Sequence, residues 1–252
     1  MAMDPRSTLY KIYGELRKLI APSLRYSQYL YEDVLSQYVK PDVNWLDLGC
    51  GHQILPAWRE DEEKRLVANC RMIVGIDYDL PSLKKHRNIH MKARADITLL
   101  PFQNDSFDLI TANMLVEHLS DPESQFREIS RVLKPGGVFI FHTPNSAGYF
   151  IALARRVPES LKGRLIYLLD GRKQEDVFLT HYKANSREMI RTLADTCGFE
   201  VIKIRIIVTD ALFAVVPPIA LVELIWIRLL LTDRLKEFRT GIIAILKKTP
   251  AS

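Results

Sequence analysis

Residues 43 to 53 read V-N-W-L-D-L-G-C-G-H-Q, an apolar run that leads into two glycines one residue apart. The run predicts a buried strand that carries an acid, Asp47, close to its end. Gly49 and Gly51 have no Cβ, so the backbone after the strand can turn sharply and let a ligand lie against it. Such a glycine pair is also typical of an ordinary turn between a strand and a helix, so the rest of the chain must decide.

The composition is that of an ordinary globular protein. Of the 252 residues, 48% are hydrophobic and 26% charged, which excludes disordered and disulfide-scaffold classes and favours one core. The formal net charge of +5 is too small and too spread out to indicate nucleic-acid binding. Cys50, Cys70 and Cys197 lack any metal-ligand spacing, which predicts a reducing compartment and no structural zinc. Because residues 1–18 contain charges and no hydrophobic signal region, we expect a cytoplasmic protein.

Six further runs predict strands, and helical patterns separate them. The strands are predicted at Arg71–Asp79, Met91–Ala95, Phe107–Asn113, Val138–Thr143, Phe199–Val208 and Thr240–Lys247, the last closing the sheet edge. Helices are predicted on both sides of Pro22 within residues 8–39, and at 55–69, Ser82–His86, Asp121–Leu133 and Ser186–Asp195. This alternation indicates an open, doubly wound α/β sheet, which binds ligands outside the carboxyl ends of its strands. The polar residues at strand ends are therefore expected along one rim: Asp47, Asp77, Asp96 and Asn113.

We predict a single domain, 1–252, with two inserts. N-terminal helices occupy 8–40, and the cofactor-binding core occupies 41–144. A basic and apolar substrate-side insert at 145–184 is expected to form two short helices above the sheet, and the rest of the sheet follows at 185–248. The charged run Glu60–Arg65 predicts a solvated helix face.

The second insert, 211–238, contains an unusually apolar stretch. Seventeen of the 21 residues from Ala211 to Leu231 are apolar, but Pro217-Pro218, Glu223 and Arg228 argue against a membrane span. Three interpretations stay open: a lid over an apolar substrate, a surface that lies in the membrane interface, and a plain core helix. Flanking basic residues favour the membrane surface, which would place the protein peripherally at the inner face of the membrane. A homodimer interface is a further way to bury the stretch.

Five motifs, in order, resemble a known family. They are W-L-D-L-G-C-G at 45–51, V-G-I-D at 74–77, A-D-I-T-L-L-P-F at 95–102, F-D-L-I-T-A-N-M-L-V-E-H-L at 107–119 and R-E-I-S-R-V-L-K-P-G-G at 127–137. Together they resemble class I S-adenosylmethionine-dependent methyltransferases, in particular the broad type 11 group. The resemblance runs from about residue 26 to 144, with weaker similarity at 181–190 and 198–204. It implies S-adenosylmethionine as the cofactor and a Rossmann-like, seven-stranded sheet with an antiparallel last strand.

The resemblance also implies a role for each residue of the rim. Four residues would form the loop beside the methionine part of the cofactor: Asp47, Gly49, Cys50 and Gly51. Asp77, next to Tyr78, would accept the two ribose hydroxyls. Asp96 and the backbone at Ile97 would hold the adenine amino group, while Asn113 and Met114 would flank the sulfonium. Gln53 stands where the family usually has a third glycine, so its side chain is expected to crowd or to bond the carboxylate end of the cofactor.

The reaction itself needs little from the protein beyond positioning. A sulfonium methyl group is already activated, so the protein must hold the acceptor atom in line with it. A hydroxyl acceptor would need a base, for which the candidates are His118, His181 and Tyr182. His118 can equally be a structural residue, and His142 is better explained as a core or edge histidine. No histidine pair has the spacing of a metal site.

We therefore expect a methyltransferase acting on a small-molecule, apolar or lipid-linked acceptor, with O-methylation favoured. The two apolar and basic inserts motivate such an acceptor, and by analogy with the family they suggest a polysaccharide, lipid or natural-product pathway. One alternative is carbon methylation of a quinone-like ring. The other is a non-catalytic cofactor-binding protein that docks on a membrane or a partner.

Overall fold

A computed structural model describes residues 5–154, 156, 179–214 and 216–250 of the chain. The chain divides into two compact units. Unit 1 comprises Met1–Ser27, Asn145–Leu179 and Ile206–Gly241, and unit 2 comprises Gln28–Pro144, Thr180–Arg205 and Ile242–Ser252. A single domain over the whole chain stays a prediction.

The sheet has seven strands in the order β3-β2-β1-β4-β5-β7-β6. Their bounds are β1 Asn44–Leu48, β2 Met72–Asp77, β3 Met91–Arg94, β4 Phe107–Asn113, β5 Leu133–Pro144, β6 Phe199–Ile207 and β7 Gly241–Lys248. The strands β3, β2, β1, β4 and β5 pair in parallel, and the last strand is antiparallel. The predicted α/β class and doubly wound sheet are confirmed.

Eight α-helices accompany the strands in the described part of the chain. They are α1 Pro5–Ile20, α2 Ser27–Tyr38, α3 Glu60–Ala68, α4 Leu80–Lys85, α5 Pro122–Val132, α6 Tyr149–Ala154, α7 Arg187–Thr196 and α8 Pro217–Leu230. Asp121 and Ser186, where two of the predicted helices begin, are N-caps: the Asp121 side chain accepts from the Ser124 N–H, and the Ser186 side chain accepts from the Met189 N–H. Phe126 and Ile129, three residues apart on one face of α5, are buried in the core of the sheet.

Two strand predictions were wrong. β7 does not close the sheet edge, because it lies between β5 and β6 and leaves β6 at the edge. The side chains explain this order: the first six residues of β7 are all buried, whereas β6 has exposed residues along most of its length. The strand predicted at Val138–Thr143 starts five residues earlier, because β5 begins at Leu133 directly after α5 and includes residues 134–137. A register shift in the pairing of β4 with β5 accommodates this segment.

Unit 1 contains α1, α6 and α8. The inner side of α8 presents Ala220 and Leu224, which pack with Tyr13 of α1. The Glu223 carboxylate is also buried, and it accepts from the Tyr149 hydroxyl at 2.7 Å and from two backbone N–H groups, those of Leu212 at 2.9 Å and Phe213 at 2.8 Å. Burial and the Glu223 carboxylate raise the pKa of the Tyr149 hydroxyl.

Five of the 14 residues of α8 are buried, so the apolar segment is a core helix on one side only. Arg228, the second charge within it, donates to the Ile20 carbonyl at 2.7 Å, so both charges bind polar groups of unit 1. None of the described helices has the length and apolar character that a membrane crossing requires. Of the insert predicted at 145–184, α6 is seen, whereas residues 155 and 157–178, and with them the second predicted helix, lie outside the described residues.

Candidate functional site

The carboxyl ends of β1 to β4, here called the strand-end edge, bring the predicted cofactor residues to one side of unit 2. Parallel pairing places Leu48 of β1 beside Ile76 of β2 and Ala112 of β4, and Asp77 of β2 beside Arg94 of β3. The residues that follow these strands are therefore neighbours at the same edge.

The two glycines after β1 adopt conformations that other residues rarely take. Gly49 has φ +62° and Gly51 has φ +51°. A Cβ at Gly49 would lie 2.8 Å from Cδ1 of Leu115, so this position also lacks space. A Cβ at Gly51 would meet nothing within 4 Å. The loop thus faces Leu115 at its first glycine and open space at its second.

Asp77 joins the glycine loop to the end of β2. Its Oδ2 accepts from the Gly51 N–H at 2.8 Å, and its Oδ1 accepts from the Asp79 N–H at 2.7 Å. Each carboxylate oxygen keeps further acceptor capacity, which suits hydroxyl donors. Tyr78 next to it is mostly exposed, and the Arg94 guanidinium lies 4.8 Å from its ring centroid.

Cys50, between the two glycines, is buried and anchors the loop to β2. Its N–H donates to the Ile76 carbonyl at 3.0 Å, and its Sγ packs so closely on Gly75 that a Cβ there would lie 2.7 Å from it. Burial and nearby carboxylates raise the pKa of the Cys50 thiol, which keeps it protonated.

Asp47 lies beneath the loop within the core. It is 3% exposed, and its Oδ1 accepts from the Thr111 hydroxyl at 2.5 Å, while Thr111 also accepts from the Trp45 indole N–H at 2.7 Å. Burial raises the pKa of the Asp47 carboxyl to about 7, opposed by the Thr111 hydrogen bond and reinforced by the carboxylates of Glu63 and Asp77. Asp47 therefore joins β1 to β4 inside the sheet, two residues before Gly49.

The expectation of a solvated face on α3 was wrong for one residue. Glu63 is completely buried, and its carboxylate accepts from the N–H groups of Ile54 at 3.0 Å and Leu55 at 2.8 Å and from the Asn88 amide at 2.7 Å. These bonds fix the segment that follows the glycine loop. Nothing within the charged run itself distinguished Glu63 from its neighbours.

The neighbouring residue Gln53 also has a protein partner. Its Oε1 accepts from Arg87 at 2.9 Å, and Arg87 forms an ion pair with Glu60 at 3.2 Å. The side chain that replaces the family's third glycine is thus bonded to a residue after α4.

Asp96 and Ile97 follow β3. Asp96 is exposed, and its Oδ1 accepts from the N–H and the hydroxyl of Thr98, both at 2.8 Å. Ile97 is partly buried and packs against the core of unit 2. The pair therefore forms an ordered turn at the edge beside Asp77.

Asn113 ends β4 within a chain of polar side chains. Its Oδ1 lies 2.9 Å from Nδ1 of His142, and its amide donates to Oε1 of Gln28 at 2.9 Å. His142 is buried, as the strand pattern predicted, and burial lowers its pKa to about 4. Gln28 was not predicted, because a polar residue at the start of an amphipathic helix carries no signal of a partner 85 residues away.

Met114 directly follows Asn113 in a conformation that is rare for a residue with a side chain. It has φ +55°, its N–H donates to the His142 carbonyl at 2.8 Å, and the residue is 44% exposed. Such conformations cluster at functional sites.

The three candidate bases meet through the backbone. His118 ends a short 3₁₀ turn, Val116–His118, and the Glu117 carbonyl in that turn accepts from the N–H groups of His181 at 2.7 Å and Tyr182 at 3.2 Å. Tyr182 has φ +52°, the second rare conformation among the candidates. The structure thus brings together residues that lie more than 60 positions apart in the sequence.

A buried polar network supports this junction. The Glu117 carboxylate accepts from the Thr143 hydroxyl at 2.9 Å, and the Asn185 amide donates to the same hydroxyl oxygen at 2.7 Å. Burial raises the pKa of the Glu117 carboxyl. The sequence pointed to none of these three residues, although a threonine in the apolar strand β5 is a weak signal of a buried bond.

Within the described ranges, no three His, Cys, Asp or Glu side chains group in a way that would hold a metal ion. The strand-end edge offers instead backbone N–H groups, two carboxylates and open space beside Gly51. Acceptors at adjacent strand ends suit a ligand with vicinal hydroxyls and an amino group, so the residues present fit S-adenosylmethionine.

Known proteins resemble the central part of this chain. Residues 46–141 match a family model described as "Methyltransferase domain". The chain is 36% identical over 105 residues to a malonyl-(acyl-carrier protein) O-methyltransferase of Hahella chejuensis, covering 39% of this chain and 35% of that protein. It is 34% identical over 110 residues to a demethylmenaquinone methyltransferase of Corynebacterium kroppenstedtii, covering 42% of this chain and 44% of that protein. These matches span less than half the length of the curated relatives.

Solved structures share the fold. A structure of an S-adenosylmethionine-dependent methyltransferase from Methanosarcina mazei superimposes with a TM-score of 0.58 at 18% identity, covering 86% of this chain and 98% of that one. At this identity the likeness concerns the fold.

Proposed function

We propose that this protein, whose residues 46–141 belong to the class I S-adenosylmethionine-dependent methyltransferases, transfers a methyl group from that cofactor to an oxygen of a small, apolar or lipid-linked acceptor. In this proposal the protein is cytoplasmic and lies peripherally at the inner face of the membrane. A polysaccharide, lipid or natural-product pathway would supply such an acceptor.

The hydrogen bond between the Gly51 N–H and Asp77 is the observation that carries the proposal. It joins the glycine loop to the acid at the end of the neighbouring strand, at 2.8 Å, and leaves open space beside Gly51. When bound, S-adenosylmethionine supplies a methyl group on a sulfonium, which needs no further activation. In this proposal Asp77 binds the ribose hydroxyls, and the turn at Asp96 and Ile97 binds the adenine.

The rest of the proposed mechanism concerns positioning and one proton. Asn113, held by Gln28 and His142, and Met114, held by the His142 carbonyl, would border the reacting centre. A hydroxyl acceptor must lose its proton, and His118, His181 and Tyr182 are the proposed groups to receive it. The Glu117 junction fixes these three residues relative to each other.

Carbon methylation of a quinone-like ring is the second candidate function. The similarity to a protein named as a demethylmenaquinone methyltransferase supports it. Oxygen is favoured because the similar Hahella chejuensis protein is named as an O-methyltransferase. The backbone bonds from His181 and Tyr182 to the Glu117 carbonyl, next to His118, also place the three candidate bases close together along the chain path. A non-catalytic cofactor-binding protein is the remaining alternative.

Titration calorimetry with S-adenosylmethionine tests the cofactor site. We expect Asp77→Ala to weaken binding by about 1.5–3 kcal/mol, the scale of losing charge-assisted hydrogen bonds. Asp105→Ala is the matched control, because Asp105 pairs with Lys248 at 2.7 Å on the surface of unit 2. Unchanged affinity in Asp77→Ala would remove Asp77 from the site.

The acceptor can be found by incubating the protein and deuterated-methyl cofactor with a cell extract. Mass spectrometry of the aqueous and lipid fractions should show one labelled product, and its fragmentation identifies a methylated oxygen or carbon. Tyr182→Phe and His118→Ala should lower its rate of formation without changing cofactor affinity. A protein that binds cofactor but labels nothing in either fraction would favour the non-catalytic alternative.

A further inference from the structure

The outer face of α8 has almost no polar side chains. Arg228 is the one charged residue among the exposed positions of this fully described helix. Six large apolar side chains are exposed: Ile219, Leu221, Val222, Ile225, Trp226 and Leu229. An ordinary surface helix presents polar residues on the side away from the core. Apolar exposure of this extent marks a binding surface.

An open apolar groove runs beside this face. It has a volume of about 370 Å³, and Tyr149 and Leu153 of α6 line it together with Phe213, Val222 and Trp226. Arg156 also lines the groove, and its side chain is exposed. Glu223 lines the groove too, but its carboxylate is buried and accepts three hydrogen bonds, so the exposed charge at the groove is the Arg156 cation.

The charge of the chain is unevenly divided. Unit 1 holds 15 Lys and Arg against 10 Asp and Glu, whereas unit 2 holds 20 of each, so the whole net charge of +5 belongs to unit 1. Basic side chains next to an apolar, aromatic-containing helix face are the combination that binds membranes with anionic lipids.

We propose that the outer face of α8 and the groove beside α6 dock on a lipid bilayer that carries anionic headgroups, with Trp226 in the interfacial layer. The inference rests on the peripheral location in the proposed function and specifies the surface and the lipid charge. The helix lies in the plane of the membrane and does not cross it, since Glu223 and the inner side of α8 stay packed within unit 1.

A second copy of the chain is the competing occupant of this face. A symmetric dimer places the same surface of both copies in contact. It would therefore bring two units of net charge +5 together, and like charges at an interface disfavour association. An anionic bilayer matches both the apolar area and the charge.

Co-sedimentation with vesicles tests the surface. We expect the intact chain to bind vesicles of equal parts phosphatidylglycerol and phosphatidylcholine, and to bind pure phosphatidylcholine much less. Val222→Glu with Ile225→Glu should weaken this binding about tenfold or more, because both side chains would enter the interface. Val222 is 67% and Ile225 50% exposed, so the double variant should fold normally. Ile202→Glu on β6, where Ile202 is 45% exposed, is the control that should bind like the intact chain.

The outcomes separate the docking surface from the methyl-transfer proposal. Failure to bind the anionic vesicles, or equal binding by the double variant, overturns the docking surface. A third result would also overturn it: none of the proteins binds vesicles, and sedimentation velocity shows a dimer for the intact chain and for Ile202→Glu but not for the double variant. Vesicle binding in the expected pattern supports docking even if cofactor titration fails, and that failure would count against the methyl-transfer proposal alone.

Discussion

The strand-end edge of unit 2 and helix α8 of unit 1 are both proposed binding surfaces, but different chemical features define them. The edge uses backbone conformation and a few carboxylates, and its glycines have positive φ because the chain must turn there. The helix uses exposed apolar area and net charge, with no position that requires one residue type. A short motif can therefore reveal the edge, whereas α8 is recognised only when the exposure of each side chain is known.

Substitution at Gly49 should give the largest effect. It tests whether cofactor binding at the strand-end edge depends on the backbone conformation of the glycine loop. Gly49→Val adds a β-branched side chain at φ +62° and within 2.8 Å of Leu115. We expect a loss of about 3–5 kcal/mol in cofactor binding, from backbone strain and overpacking together. Calorimetry on the folded variant measures it.

The contribution of space can be separated from that of strain. Gly49→Ala combined with Leu115→Ala should regain about 1 kcal/mol of binding relative to Gly49→Ala alone, because room is restored and only the strained φ persists. Equal affinity of the single and double variants would show that Leu115 does not restrict the loop.

The next largest effect should appear in unit 1, at the buried carboxylate of α8. Glu223→Ala removes the acceptor of three hydrogen bonds and should lower the free energy of unfolding by about 3 kcal/mol. Tyr149→Phe removes one of the three and should cost about 1 kcal/mol. Urea denaturation measures both. If Glu223→Ala were as stable as the wild type, the charge inside the apolar segment would have no structural role.

The positions of the strand ends could be predicted from the sequence for a physical reason. Apolar runs ending in an acid or an amide marked β1 to β4, and parallel strands place such ends side by side. Asp77 could be selected because a single local pattern, strand then acid, specifies it. The order of β6 and β7 was missed since it depends on which strand is covered, although the polar positions Glu200, Lys203 and Arg205 in β6 are an edge signal.

The supporting side chains could not be predicted in the same way. Glu63 looked like its charged neighbours on α3, and its burial depends on how the loop 51–55 folds over it. Glu117 and Asn185 both bind the Thr143 hydroxyl, from 26 and 42 residues away in the sequence, and contacts between such distant residues leave no local pattern. For α8, an apolar residue every one or two positions hides which side is packed, so periodicity alone left core, lid and membrane surface open.

The ionisation of Asp47 provides a smaller effect that depends on pH. Burial raises the pKa of its carboxyl to about 7 in the folded chain, against about 3.9 in the unfolded chain. Between these values the folded state holds a proton that the unfolded state has lost. The stability from protonated Asp47 is therefore complete below pH 4 and is lost as the pH rises through 7.

Asp47→Asn should remove this dependence. The free energy of unfolding of the variant, relative to wild type, should rise by about 2.5 kcal/mol between pH 5 and pH 8. His142 and His86, whose pKa values burial lowers to about 4, act with the opposite sign below pH 6.5 but are present in both proteins and cancel in the difference. A difference that is constant with pH would mean that Asp47 is ionised throughout.

The smallest effect gives the closest comparison of the two regions. The same substitution is made once in each region, at positions where an added Cβ has equal free space. A Cβ at Gly14 in α1 and a Cβ at Gly51 in the loop both meet nothing within 4 Å. Gly14 lies inside a helix, so Gly14→Ala should raise the free energy of unfolding by about 0.5–1 kcal/mol. Gly51→Ala should lower it by about 1 kcal/mol, because φ +51° disfavours any side chain. Thermal or urea denaturation of both variants measures the difference. The two variants add the same methyl group in equal free space. If both changed the free energy of unfolding in the same direction, backbone conformation would not be the difference between the loop and the helix.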